Sequence, residues 1–325
     1  MGVTSLMFAV QIHEGGELRH ESVPDPEPGA GEVVVELRTA ALNRRDLLVS
    51  RGTYPFPLPL IPGSDGAGVR RDTGEEVVIY PALDWGVREE AFGPDFQILG
   101  GPRNGTYAEL VSVPEVNVFP KPARLSWEEA SALPLAGLTE YRALFSRGAL
   151  RSGETVLVLG AGSGVSTFAV QLAAQAGARV LVTSSSSDKI EQSRALGAEG
   201  GVNYASEDWV ASVKELGGAD LVIDSIGSTW PQSLDCLRPG GRVVVFGATG
   251  GTEATLAVRP FYFGQWSLLG TMMGSPTDFA ALLGALEAGS WRPVIDSVVP
   301  LEDAATALEA MESGDHFGKL VLSCG

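Results

Sequence analysis

Cysteine and histidine are scarce in this chain. Cys236 and Cys324 are the two cysteines among 325 residues, too few and too far apart for a disulfide framework. His13, His20 and His316 stand apart from one another, without the spacing a metal site needs. No run of lysine or arginine exceeds the pairs Arg44-Arg45 and Arg70-Arg71. With 40 acidic residues against 23 basic ones, the net charge is −17, which repels phosphate backbones and anionic headgroups. No nucleic-acid or membrane partner is expected. No basic residue precedes Arg19, so neither a signal nor a transit peptide is expected, and a reducing, cytoplasmic setting follows.

Two long uncharged runs are present, and neither reads as a membrane span. Thr155–Ala178 carries Gly160, Gly162 and Gly164 near its middle, with Ser163, Ser166 and Thr167 beside them. A strand, a glycine turn and a helix account for that pattern better than one spanning helix. Pro260–Thr277 holds two prolines and three glycines. A hydrophobic fraction of 44% and a charged fraction of 19% are those of a globular enzyme, and the length suits two domains.

The first third alternates strand and turn. Leu6–Ile12 runs into a Glu14–Glu17 turn, Glu32–Ala41 is β-rich, Arg45–Ser50 suits a short helix, and Glu75–Tyr80 is another strand. Three prolines within Pro24–Gly29 make a rigid loop. Irregular β structure of this kind suggests a small barrel with functional loops. Trp127–Leu133 and Thr139–Phe145 read as helices. From Thr155 strands and helices alternate: strands at Thr155–Leu159, Arg179–Thr183, Gly201–Asn203, Leu221–Asp224, Arg242–Phe246 and Ser267–Met272. The helices between them include Ser166–Ala176, Ser187–Leu196, Trp209–Leu216 and Trp230–Cys236, followed by Thr277–Ala288. The fold class is therefore α/β, with a doubly wound parallel sheet. The last 30 residues return to strand, helix and strand, ending in Lys319–Ser323.

The turn after Thr155–Leu159 reads Gly160-Ala161-Gly162-Ser163-Gly164-Val165. Small residues there let a pyrophosphate approach the backbone N–H groups and positive end of the following helix. Gly160, Gly162, Ser163, Gly164 and Val165 are thus the candidate dinucleotide contacts. The strict six-residue glycine pattern is not met, with Ser166 where a third glycine is looked for, and a ligand-free strand–helix turn is the plainer alternative. NAD-binding folds place an acid at the end of the second strand, whereas here Ser184–Ser187 precede Asp188-Lys189. Hydroxyls followed by a lysine suit the 2′-phosphate of NADPH. Asp188 is the competing candidate for a ribose contact, and helix capping is the structural alternative for the serines.

Several segments together resemble the medium-chain dehydrogenase/reductase superfamily, and within it the zinc-independent quinone oxidoreductase branch. They are Ala41–Asp46, Arg51–Pro55, Pro62–Val69, Gly105–Glu109, Leu133–Thr139 and Gly318–Leu322, and the resemblance spans nearly the whole chain. It implies a GroES-like β-barrel over 1–123 with 275–325, and a Rossmann domain over 124–274. It also implies a 2′-phosphate pocket at Ser184, Lys189 and Tyr204. Further cofactor contacts are expected at Phe246, Gly247 and Lys319. A homodimer joined through the last Rossmann strand, near Ser267–Met272, is implied as well.

Zinc enzymes of this superfamily draw catalytic ligands from three positions, which correspond here to Asn43, Ser64 and Leu135, none a good zinc ligand. The four-cysteine lobe is missing too, since Asp84–Arg103 holds no cysteine. Asp46 and Asp65 leave an atypical site as the alternative. Without a metal, oxidising a simple alcohol demands a strong base that the sequence does not display. A quinone or α,β-unsaturated carbonyl instead takes hydride at carbon and spreads charge onto oxygen, where hydrogen-bond donors suffice. Tyr54 and Asn43 are the candidate catalytic donors, with Ser64 lining the site. Tyr54 merely packing its proline-rich loop and Asn43 merely satisfying a turn are the alternatives. Asp46 is expected to hold loop backbone, and Cys236 to sit in the core. The expected function is NADPH-dependent reduction of a quinone or enone. Alcohol dehydrogenase-like or carbonyl reductase activity, or an NADPH-binding sensor that has lost catalysis, are the alternatives.

Overall fold

Alternation along Glu32–Ala41 shows why this segment is a strand. Val33, Val35 and Leu37 are buried, while Glu32, Val34, Glu36 and Arg38 are only partly covered. A period of two puts the first set on one face of a sheet and the second on the other. The computed structural model describes residues 5–325. They form two compact units, one running through Ala136 and resuming at Ser275–Gly325, the other Gly137–Gly274.

The first unit is built on a seven-stranded sheet. Glu32–Ala41 lies inside it, antiparallel to Asp65–Arg70, to Leu110–Pro114 and to the C-terminal strand Lys319–Ser323. Lys319–Ser323 in turn pairs in parallel with Ile295–Pro300. Its register sets Val321 opposite Ala41, and the Leu42 N–H donates to the Leu320 carbonyl at 2.9 Å. Lys319 is thereby brought to the turn that follows the strand. A hairpin of Leu6–Ile12 with Leu18–Pro24 joins this unit through bridges from Ala9 to Ala108 and from Ile12 to Leu60. The core is aliphatic, with Val35, Leu37, Ile79, Leu99, Leu308 and Leu322 among its members.

The division between the units falls after Ala136, later than the 123/124 boundary expected from the sequence. The helix Trp127–Ala132 packs on the strands Glu32–Ala41 and Asp65–Arg70, and the Thr39 hydroxyl donates to the Trp127 carbonyl at 2.8 Å. It therefore belongs to the sheet unit. The helix expected over Thr139–Phe145 instead starts at Pro134 and runs to Tyr141, since proline favours the first helical position. It continues as a wider turn over Arg142–Arg147, where the Gly148 N–H reaches the Ala143 carbonyl at 2.9 Å.

The second unit is a six-stranded sheet, all parallel. Counted along the chain, its strands lie in the order 3-2-1-4-5-6, the doubly wound Rossmann arrangement. Thr155–Val158 is central and buried throughout, as expected of a strand covered on both faces. Helices Gly164–Gln175, Ser187–Ala195, Trp209–Glu215 and Trp230–Asp235 supply the crossovers. One short helix, Val258–Phe263, was not expected from a sequence containing Pro260. Pro260 lies in its first turn, where the N–H has no helical partner to lose.

Candidate functional site

The second unit carries the candidate dinucleotide contacts at the carboxyl ends of its strands. The Ser163 side chain caps the helix Gly164–Gln175 by accepting from the Ser166 N–H at 3.2 Å. The first-turn N–H groups of Gly164 and Val165 have no partner within that helix, and the helix dipole adds positive potential there. Gly160 and Gly162 have φ of 72° and 96°, left-handed values that favour glycine. The five expected residues of the glycine turn thus lie together in one compact turn at the start of this helix.

Ser184 ends the second strand, and the Tyr204 N–H donates to its carbonyl at 3.0 Å. The Ser184 hydroxyl accepts from the Ser186 N–H at 3.2 Å, and Ser186 caps the helix that carries Lys189. Ser184, Tyr204 and the start of the Lys189 helix are therefore neighbours, and the Tyr204 ring is exposed. No acid stands at the strand tip; Asp188 lies one turn on, exposed, inside the helix Ser187–Ala195. Phe246 follows the fifth strand, its N–H on the Asp224 carbonyl at 3.1 Å, and Gly247 turns with φ 72°. Both follow a parallel strand and so lie at the same sheet edge as Gly160 and Ser184.

Lys319, the remaining expected cofactor contact, comes from the last strand of the chain. It lies in the first unit, 3% exposed, and donates to the Leu42 carbonyl and to Asn43 Oδ1, each at 2.6 Å. Asp65 Oδ2 is 3.4 Å away. The physical reason is the register of Lys319–Ser323 against Glu32–Ala41.

The first unit holds the candidate catalytic residues. Asn43 precedes the helix Arg44–Ser50. Its amide Nδ2 donates to Asp65 Oδ2 at 2.9 Å, and its backbone N–H donates to Asp46 Oδ2 at 2.8 Å. Asp46 thus holds loop backbone, as its position suggested. It is fully buried, which raises its carboxyl to about 6, against the lowering effect of the Asn43 N–H, Arg45 and the Tyr107 hydroxyl. Burial likewise pushes the Asp65 carboxyl up and the Lys319 ammonium down from their ordinary values. All three Lys319 partners are acceptors, which favours the ammonium form against the effect of burial.

Ser64 is fully buried and donates its hydroxyl proton to the Leu99 carbonyl at 2.8 Å. Tyr54 is 42% exposed, and its ring stacks on Phe56 with centroids 6.1 Å apart. The Arg45 guanidinium lies over both rings, at 5.8 Å and 5.7 Å, and is held by the Gly101 carbonyl at 2.7 Å. Sequence reasoning did not reach Arg45, Tyr107 or the Asp65–Lys319 pair. The Arg44-Arg45-Asp46 stretch was a visible cue for the first of these. No local signal links Lys319 to Asn43.

The fold and these two sets of residues define an oxidoreductase of the kind that works with a nicotinamide dinucleotide. Comparison with known proteins agrees. Residues 29–123 match the model of the alcohol dehydrogenase GroES-like domain, and 164–288 that of the zinc-binding dehydrogenase domain. A zinc-type alcohol dehydrogenase-like protein of Schizosaccharomyces pombe is 36% identical over 94% of this chain and 95% of its own length. A solved NAD-dependent alcohol dehydrogenase superposes with a TM-score of 0.93 at 40% identity, covering 98% of this chain and 100% of that one. A 2-octenoyl-CoA carboxylase reductase, solved with NADP and 2-octenoyl-CoA, gives 0.90 at 25% identity, over 99% and 88%. The chain belongs to the medium-chain dehydrogenase/reductase superfamily and is an alcohol dehydrogenase-like oxidoreductase.

The family's zinc does not fit the residues present. Asn43 offers an amide already committed to Lys319 and Asp65, and the Ser64 proton is committed to a carbonyl. Catalytic zinc takes thiolate, imidazole or carboxylate ligands. Among the described residues no cluster of three or more histidine, cysteine or acidic side chains is placed to hold a metal. Cys236 and Cys324 are buried, and burial pushes each thiol up to about 12. In the segment without cysteines, Trp85, Phe92 and Phe96 pack on one another instead, with centroids 4.5 to 6.0 Å apart.

Proposed function

We propose that this protein is a zinc-independent, NADPH-dependent reductase of quinones or α,β-unsaturated carbonyls. The observation that carries the reading is the environment of Asn43, an amide at one of the positions that correspond to zinc ligands, which takes a hydrogen bond from the Lys319 ammonium and gives one to Asp65. A bound NADPH would supply a hydride, with its electron pair, to carbon of the acceptor. The displaced π electrons move onto the acceptor oxygen, and a proton then completes the enol or hydroquinone. Tyr54 and Asn43 donate hydrogen bonds to the developing negative charge, which is where fixed donors lower a barrier most. Ser64 shapes the wall behind them.

The dinucleotide is assigned to the glycine turn and to Phe246 and Gly247. Its 2′-phosphate falls to Ser184, Lys189 and Tyr204. The absence of an acid at the tip of Arg179–Ser184 supports NADPH. A second reading, an NAD-dependent alcohol dehydrogenase-like activity, is favoured by Asp188 and by the name of the 40% identical structure. Consumption of NADPH and of NADH by chelator-treated protein, against a panel of quinones and enals, decides between them. Turnover with NADPH alone supports the first reading. Turnover with NADH alone overturns the cofactor assignment, and activity that returns only with zinc and an alcohol overturns the chemistry.

Two further assignments belong to the same reading. The strand Ser267–Gly270 is the edge of its sheet, and Val258, Tyr262, Phe263 and Met272 nearby are exposed. An open edge beside apolar surface suits a homodimer. No helix among the described residues is long and apolar enough to cross a membrane. The scarcity of cysteine suits a reducing, cytoplasmic setting.

A further inference from the structure

The Asn43 amide lies between one side chain that can only donate and another that can only accept. Lys319 Nζ donates to Asn43 Oδ1 at 2.6 Å, and Asn43 Nδ2 donates to Asp65 Oδ2 at 2.9 Å. An ammonium has no lone pair to offer, and a carboxylate has no proton. Turning the amide over would set N–H groups against the ammonium and oxygen against the carboxylate, so one orientation survives. Lys319 also reaches the Leu42 carbonyl at 2.6 Å, which ties the main chain of the same turn to the C-terminal strand. Asp65 is held from its other side, where Oδ1 accepts from the Leu135 N–H at 2.8 Å. None of the three side chains is more than 6% exposed. The second Nδ2 proton of Asn43 has the Ala41 carbonyl at 3.5 Å, too far to hold it firmly.

We propose that Lys319 is a positioning residue. Its buried ammonium, opposed by Asp65, locks the Asn43 amide so that the second Nδ2 proton is the one presented to the substrate oxygen or the nicotinamide ribose. This rests on the reading of Asn43 given above. It replaces the expectation that Lys319 itself touches the cofactor.

The test is a double-mutant cycle on kcat and KM with NADPH and a quinone, using Asn43→Ala, Lys319→Met and the pair. Each single change should lower kcat about 10- to 100-fold, the scale of losing one donor in an active site. If Lys319 works through Asn43, the double variant is no slower than Asn43→Ala, because the second change has nothing left to misalign. Lys319→Arg, which still only donates, should recover most of the lost rate.

Should Lys319→Met fail to fold, the same cycle run with Asp65→Asn removes the opposing restraint at constant volume. Its effect too should vanish in the Asn43→Ala background. Losses that multiply in the double variants overturn the inference while leaving the role of Asn43 standing. A raised KM for NADPH with unchanged kcat in Lys319→Met overturns it in favour of a direct cofactor contact. An Asn43→Ala protein as active as wild type overturns the reading of Asn43, and the inference with it.

Discussion

The Tyr107 hydroxyl donates to the Asp46 carboxylate at 2.9 Å, and both residues are fully buried. The bond braces the turn that carries Asn43, because Asp46 also receives the Asn43 N–H. Burial raises the Asp46 carboxyl to about 6 from an ordinary 3.8, so the folded protein holds a proton that the unfolded chain has released. The contribution of Asp46 to stability is therefore complete below about pH 4 and falls as pH rises through about 6, by up to ~3 kcal/mol. Asp46→Asn should flatten this part of the profile. Tyr107→Phe should extend the decline above pH 6, because a donor that favours the carboxylate is gone. Denaturant midpoints from pH 4.5 to 7.5, compared between wild type and variants, give the slopes; parallel curves would contradict the assignment.

Tyr54→Phe keeps the ring on Phe56 and under Arg45 but removes the hydroxyl. A fall in kcat of ~10²-fold, with little change in melting temperature, is expected for a donor to the developing oxyanion. Steady-state kinetics beside thermal melts check this. An unchanged kcat would reduce Tyr54 to a packing residue of its loop.

Lys189→Ala should raise KM for NADPH by ~10- to 100-fold while leaving NADH kinetics nearly untouched, since a charge-assisted bond to phosphate contributes ~1.5–3 kcal/mol. Equal losses with both dinucleotides would point to a structural role for this lysine.

Gly160→Ala meets almost no steric obstacle, since the nearest atom to an added Cβ is Ile226 Cδ1 at 3.8 Å. The cost comes from φ of 72°, where a Cβ is disfavoured by ~1–2 kcal/mol. A modest drop in melting temperature with a raised KM for either dinucleotide is expected. A large loss of stability would show that the turn tolerates less than its open surroundings suggest.

Replacing Tyr262 and Phe263 together by glutamate should convert a dimer into a monomer, because charge next to an open strand edge opposes pairing. Light scattering on both proteins reads the mass directly. A wild type that is already monomeric would dispose of the homodimer.

Much of the second unit was legible before any coordinates. Its strands are short apolar runs separated by helices of regular length, and the turn Gly160–Val165 announces itself by glycine alone. The hidden parts were those where local pattern is silent. The short helix Val258–Phe263 was not foreseen, and it accommodates Pro260 because the proline falls in the first turn. Trp127–Ala132 looked like the start of the Rossmann domain, and only its packing on Glu32–Ala41 assigns it to the sheet unit.

The candidate site divides along the same line. Residue type and spacing picked out the serine–lysine stretch, since hydrogen-bonding capacity and charge are properties of the residues themselves, while the family resemblance picked out Asn43, Tyr54 and Ser64 as candidates. The resemblance also marked the positions at which zinc ligands are lacking. Which partners those residues take was decided by tertiary structure. Lys319 stands 276 positions from Asn43, and the antiparallel register of the last strand is what sets its ammonium on that amide. A strand's sequence specifies which faces alternate, but its register against a distant partner depends on how the whole sheet is assembled.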